Sequence, residues 1–100
     1  MTVYVLFKYS DNIYFRGVFQ TKIEAYNAIA DYYVHSMKEG EIDSDFEYKD
    51  TVYQALDLGD KEMINFLSTK YYKWVLNRLN CDICSFDYEV KEIEVNKWYD

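Results

Sequence analysis

The sequence predicts an α+β domain: an N-terminal β-hairpin, a helix, an inserted helical region, and a C-terminal strand that completes a small antiparallel sheet. Three observations predict it. Alternating apolar residues interrupted by turn chemistry occupy the start of the chain, capped segments with helical spacing fill the middle, and alternation returns in SFDYEVKEIEVNKWY at the end. One hundred residues, half of them apolar and a fifth aromatic, suffice for one modest core, and the expectation is a single domain over 1–100.

Val3, Val5, Phe7 and Tyr9 alternate with Tyr4 and Leu6, so the first run is apolar on both faces, as in a strand covered by neighbours. Ser10-Asp11-Asn12 supplies short polar side chains that bond their own backbone in a turn. Ile13 to Phe19 resumes as the second strand of the hairpin. Ile13, Phe15 and Phe19 are expected on one face, with a bulge or close packing at Gly17. Thr21-Lys22-Ile23-Glu24 has the form of a capping box, in which the Thr21 hydroxyl accepts from the Glu24 amide and the Glu24 carboxylate reaches the Thr21 amide. A helix should follow with Tyr26, Ile29, Tyr33 and Met37 on its apolar stripe and Gly40 as its stop. Thr51 to Leu58 reads as a short helix ended by Gly59. Asp60 then caps a longer one to about Leu79, with Ile64, Leu67, Tyr71, Trp74 or Val75, and Leu79 inward. In the last run Phe86, Tyr88 and Val90 share one phase while Ile93 and Val95 share the other. That predicts a bulge near Lys91-Glu92, or a strand whose halves pack against different things.

No stretch reaches 18 apolar residues and no basic region precedes an apolar run at the N-terminus. A soluble, cytoplasmic protein without a signal peptide or membrane partner is the expectation. Lys and Arg number 11 against 18 Asp and Glu, a net charge of −7 that repels phosphate and argues against direct nucleic-acid binding. The same charge serves solubility or docking on a basic surface.

Cys81 and Cys84 have the CxxC spacing of zinc knuckles and thiol redox sites, but a tetrahedral zinc site needs a second pair and only His35 remains to contribute. The pair follows a predicted helix instead of opening one, so it lacks the helix N-terminus that redox motifs use, and two reduced, part-buried thiols are the ordinary account. His35, the single histidine, has no nucleophile at a recognisable spacing and sits where a cationic imidazole would favour a helix C-terminus. With glycine only at 17, 40 and 59 there is no phosphate loop. No catalytic residue, metal or cofactor is assigned.

The most distinctive stretch is EGEIDSDFEY, where Glu39, Glu41, Asp43, Asp45 and Glu47 recur at every second position. As a calcium loop it fails, because the turn position is Tyr48 and the final ligand position is Gln54. As a solvated edge it would put the acids in water and Ile42, Phe46 and Tyr48 against the body. As a recognition strip on an extended chain it would place carboxylates about 6.6–6.8 Å apart. That is sparse beside one phosphate per roughly 3.4 Å of a DNA strand, although Asp50, Asp57, Asp60 and Glu62 thicken it. Twelve tyrosines are the other excess. The adjacent pairs Tyr32-Tyr33 and Tyr71-Tyr72 cannot both face inward on one helix, so Tyr32 and Tyr72 are the candidate contacts beside Glu39, Glu41, Asp43, Asp45, Glu47 and Asp50.

The opening YVLFKYSDNIYFRGVFQTKIEAYNAI, with Tyr4-Val5-Leu6, Gly17-Val18-Phe19 and Thr21-Lys22-Ile23-Glu24-Ala25, together with the closing YEVKEIEV, resembles small phage-encoded α+β proteins. The resemblance implies an anti-CRISPR or other anti-defence inhibitor acting in the host cytoplasm. It would bind a nuclease or other nucleic-acid-handling effector, with the acidic strip steering encounter and tyrosines making short-range contact. Two other classes stand beside it: a generic protein-interaction or regulatory module, single or homodimeric, and a metal or redox protein built on Cys81 and Cys84.

Overall fold

The two N-terminal runs form strands β1 (Thr2–Tyr9) and β2 (Ile13–Phe19), and residues 10–12 turn between them, the Ser10 N–H donating to the Asn12 carbonyl at 3.0 Å. The computed structural model describes residues 1–80 and 88–95. β1 pairs antiparallel with β2 on one side and with β3 (Tyr88–Glu94) on the other, giving a three-stranded sheet of order β2-β1-β3. β1 is therefore the central strand, as its two apolar faces predict. Val5 and Leu6, which point to opposite faces, are both buried.

The register corrects one detail of the sequence reading and decides between two alternatives at another. Leu6 pairs with Gly17 but Phe7 pairs with Phe15, so Arg16 is an extra residue in β2 and the bulge expected around Gly17 is present. A bulge resets the alternation. Phe15 and Ile13 share the face of Val5 and Phe7, whereas Phe19, opposite Tyr4, lies on the other face with Gly17 and not with Phe15. A methyl group on Gly17 would stand 3.2 Å from the Phe19 ring, so close packing also holds that position. β3 follows the second of the two expectations for the closing strand. Its register with β1 is uninterrupted from Thr2↔Glu94 to Lys8↔Tyr88, with no bulge at Lys91-Glu92. Tyr88 and Val90 fall on the Leu6 face and Ile93 on the Val3 face, so one regular strand gives an apolar half to each side. Phe86, the other member of the first phase, lies outside the described residues, as do Cys81 and Cys84.

Three helices follow the hairpin: α1 (Lys22–Lys38), α2 (Lys49–Leu58) and α3 (Lys61–Asn80). Their ends follow the capping residues except at the start of α2, which opens at Lys49 and not at the expected Thr51, behind Tyr48 with no side-chain cap. The Glu24 N–H donates to the Thr21 hydroxyl at 3.1 Å, while the Glu24 carboxylate accepts from the N–H of Gln20 at 3.2 Å and not from that of Thr21. The box thus closes one residue further out than expected. α1 stops at Gly40 (φ +91°), with the Gly40 N–H on the Met37 carbonyl and the Glu41 N–H on that of Ser36. α2 ends the same way at Gly59 (φ +66°), with the Asp60 N–H on the Ala55 carbonyl at 3.0 Å. Both are paired-hydrogen-bond stops that need a left-handed residue. Asp60 then caps α3, its carboxylate accepting from the Met63 N–H at 3.1 Å.

By packing, the chain divides into two compact units whose boundary falls inside α1, at Ile29 and Ala30. One holds the hairpin, the first turns of α1 and β3, with Val5, Leu6, Ala25 and Ile29 buried. The other holds the rest of α1 together with α2 and α3. Leu67, Tyr71, Val75 and Leu79 form the predicted inward stripe of α3, with Val52 and Ala55 of α2 and Met37 of α1 also buried. At roughly 1.5–3 kcal/mol for each large side chain removed from water, such stripes and not intrinsic propensity hold the helices. Ile64 and Trp74, the remaining candidates for the stripe, are half-buried. Among the described residues no helix is long and apolar enough to cross a membrane.

Candidate functional site

The acidic stretch is not a strand. Residues 39–48 form a succession of turns connecting α1 to α2, so the even carboxylate spacing of an extended chain does not apply. Alternation alone cannot make a strand where no neighbouring strand accepts its backbone hydrogen bonds. The Asp43 carboxylate instead accepts from the Asp45 N–H at 2.9 Å, a local side-chain turn, and the Phe46 N–H donates to the Asp43 carbonyl at 3.1 Å.

This turn inserts Phe46, 4% exposed, into an aromatic cluster on α3. The Phe46 ring lies 4.7 Å from that of Tyr71 and 5.4 Å from that of Trp74, and Tyr71 stacks on Trp74 at 5.6 Å with 13° between planes. Tyr33 of α1 meets Tyr71 edge-on at 6.3 Å. Tyr71 is fully buried, and its hydroxyl oxygen accepts from the Asp43 N–H at 3.0 Å. Burial raises the Tyr71 pKa above its ordinary 10.0, although the donated hydrogen bond pulls the other way. At the surface, the Arg78 guanidinium sits 4.8 Å over the Trp74 ring and reaches the Asp45 carboxylate at 3.5 Å. Lys70 lies 5.5 Å over Tyr48 and 5.1 Å over Phe66. The connector is thus fastened at Asp43, Asp45 and Phe46. Most of that hold is the buried ring and its neighbours, because an exposed ion pair adds only about 0–1 kcal/mol.

The candidate residues separate into three groups. Asp43 and Asp45 are spent on the fastening just described. Glu39 is paired with His35 at 3.3 Å, an exposed contact one helical turn apart near the end of α1. Glu41, Glu47 and Asp50 are exposed and extend into water. The tyrosine pairs split as helical geometry requires. Tyr32 is exposed and touches Tyr33 edge-on at 6.3 Å, while Tyr33 faces the cluster. Tyr72 is half-buried beside the buried Tyr71 and lines a shallow hollow of about 300 Å³ with Val34, Ser68, Thr69 and Lys73. Burial and the nearby Asp31 raise its pKa. Tyr72 thus lies in a hollow whose lining includes none of the candidate acids.

Two features were not drawn out in the sequence reading, although it named all the acids concerned: a net charge and a pair of exposed helix faces. Residues 39–62 contain nine carboxylates and two lysines, so this segment alone carries a charge equal to the −7 of the whole chain, and the remainder holds nine of each sign. All nine are exposed except Asp43, which is half-buried. Counting charge by window would have found this. The second is the outer face of α2, where Asp50, Tyr53 and Asp57 fall three and four positions apart and are all exposed. On α3, Met63 (39% exposed) and Phe66 (56%) lie off the inward stripe and line a second shallow hollow with Asp60 and Glu62. Helical phase marked both. Among the described residues no group of three or more His, Cys, Asp or Glu is placed to hold a metal ion. Comparison with protein-family models, with curated proteins and with solved structures finds no match.

Proposed function

We infer that the chain is a non-enzymatic, phage-type anti-defence inhibitor that acts in the host cytoplasm by binding a nucleic-acid-handling effector in its Lys/Arg-lined groove. The observation that supports this reading is the concentration of the whole net charge in residues 39–62, on side chains that are almost all exposed. A charge excess that served only solubility would be spread over the chain, whereas a single acidic segment produces a field with a direction. The fastening of that segment by Phe46 and Tyr71 supports it further, because a pre-set surface loses less entropy on docking than a loose loop. Tyr53, flanked by Asp50 and Asp57, offers a ring on which an arginine stacks while the carboxylates take its charge.

The geometry selects the variants for the test. Reversing Asp43 or Asp45 would confound binding with local structure. Replacing Glu41, Glu47, Asp50 and Asp57 by lysine changes exposed carboxylates only. Steered association runs up to about 10⁸–10⁹ M⁻¹s⁻¹ against roughly 10⁵–10⁶ without steering. Measured by surface plasmon resonance on a candidate effector captured from host lysate, the fourfold variant should associate more than about tenfold more slowly and lose most of its salt dependence. Unchanged association kinetics would sink the steering mechanism. The exposed Tyr53, Met63 and Phe66 support a second reading, a general protein-interaction module in which the acids only solubilise. There Tyr53→Ala or Phe66→Ala weakens binding while charge reversal leaves it intact.

A further inference from the structure

The sheet ends in two edges of opposite character. β3, at one edge, carries Glu89, Lys91, Glu92 and Glu94 within seven residues, a pattern that discourages pairing with another chain. β2, at the other edge, carries a single charge, Arg16. Its apolar side chains are uncovered: Ile13 is 65% exposed, Phe15 62%, Val18 54% and Tyr14 43%. The register places Ile13, Phe15 and Val18 on one face, so they form a continuous strip along the edge.

We propose that β2 is the interface between two copies of this chain, paired antiparallel edge to edge about a twofold axis so that two three-stranded sheets join into one. Charge and main-chain pairing favour a second copy as the occupant. Edge pairing joins the outer main-chain groups of β2 and sets Phe15 and its neighbours side by side across the seam. The faces of the strip stay in water, so the contact is smaller than the ~800 Å² per partner of a standard interface, which suits a weak closed dimer. A twofold interface must be complementary to itself, and a near-neutral strand apolar on both faces satisfies that condition. Centring the pair on Phe15 sets Phe15 against its counterpart and Arg16 against Tyr14 of the other copy. This repeats between copies the contact within one, where the Arg16 guanidinium lies 5.7 Å from the Tyr14 ring centroid. A pair centred on Arg16 would instead oppose two guanidinium groups. Pairing β2 with β3 would lay the apolar strip against four charged side chains and leave free edges for an open-ended array. The bulge at Arg16 twists the strand and confines pairing to the residues around Phe15, which keeps the dimer weak. Only the sheet unit is involved, so the inference stands apart from the acidic-surface reading.

Sedimentation equilibrium of the full chain tests it. The expected result is a monomer–dimer equilibrium with a dissociation constant on the order of 10–100 μM. Phe15→Asp and Ile13→Lys, both at side chains more than half exposed, should raise that constant more than about tenfold with an unchanged circular dichroism spectrum. Glu92→Lys on the opposite edge should leave it unaltered. A strict monomer at millimolar concentration overturns the proposal, as does a dimer unaffected by Phe15→Asp or oligomers that keep growing with concentration. If both β2 variants misfold, hydrogen exchange of the natural chain decides. Slowing of the β2 amides as concentration rises supports the dimer, and concentration-independent exchange overturns it.

Discussion

The helical unit and the sheet unit use aromatic residues in opposite ways. In the helical unit Phe46 and Tyr71 are buried against Trp74, Tyr33 packs on Tyr71, and the excess charge of residues 39–62 faces water around them. In the sheet unit the β2 edge is nearly free of charge, and Tyr14 and Phe15 project into solvent. The first arrangement uses rings to hold a loop and carboxylates to face a partner. The second leaves rings available for contact. The difference teaches that aromatic content by itself says nothing about role: a ring that is enclosed stabilises its own chain, and a ring that is uncovered is free to stabilise an association.

The largest test of this contrast compares two rings of similar size. Tyr71→Ala should cost about 3–5 kcal/mol in urea unfolding, because it opens a cavity beneath Phe46 and Trp74. Phe15→Ala should cost under about 1 kcal/mol in the monomer, since its ring is already mostly in water. Similar losses from the two would break the comparison.

A smaller effect isolates the Tyr71 hydroxyl. Tyr71→Phe keeps the ring but leaves the Asp43 N–H without its acceptor, at a cost of about 1–2 kcal/mol by the same measurement. Its pH dependence has a definite sign. Burial raises the Tyr71 pKa above 10.0, so the folded chain holds this proton more tightly than the unfolded chain does. The stabilisation is complete below the unfolded value and is lost as pH rises from there through the folded pKa. The urea midpoint of the natural chain should therefore fall above about pH 10, and Tyr71→Phe should remove part of that fall. Tyr72, raised by burial, and Tyr9, raised chiefly by its 2.6 Å hydrogen bond to Glu89, contribute with the same sign, so part of the fall remains.

The smallest effect concerns the join between α2 and α3. Gly59 has φ +66° and open space where a side chain would begin, so Gly59→Ala meets backbone strain and no clash. It should cost about 1 kcal/mol in thermal or urea unfolding. A much larger loss would mean that the helical unit depends on this stop as heavily as on its aromatic cluster.

The limits of α1 and α3, the end of α2, the stripe of α3, the stops at Gly40 and Gly59 and the cap at Asp60 were legible in the amino-acid order, whereas α2 starts at Lys49, ahead of the expected Thr51, with no side-chain cap to mark it. Helices satisfy their hydrogen bonds within four or five residues, so local periodicity and capping chemistry determine them. The central place of β1 was legible too, from its two apolar faces. Strands draw their partners from far along the chain, and there the local pattern misled. EGEIDSDFEY alternates as well as β3 does, yet among the described residues it pairs with no strand and folds as turns. The bulge at Arg16 carried Phe19 to the opposite face, and only the register of β3 decided that its changing phase gives an apolar half to each side without a bulge. Only the tertiary structure decided that Phe46 and Tyr71 fasten the acidic segment and that β2, with Arg16 as its one charge, is an uncovered edge. Both depend on which distant residues meet, and no window of neighbouring residues contains that information.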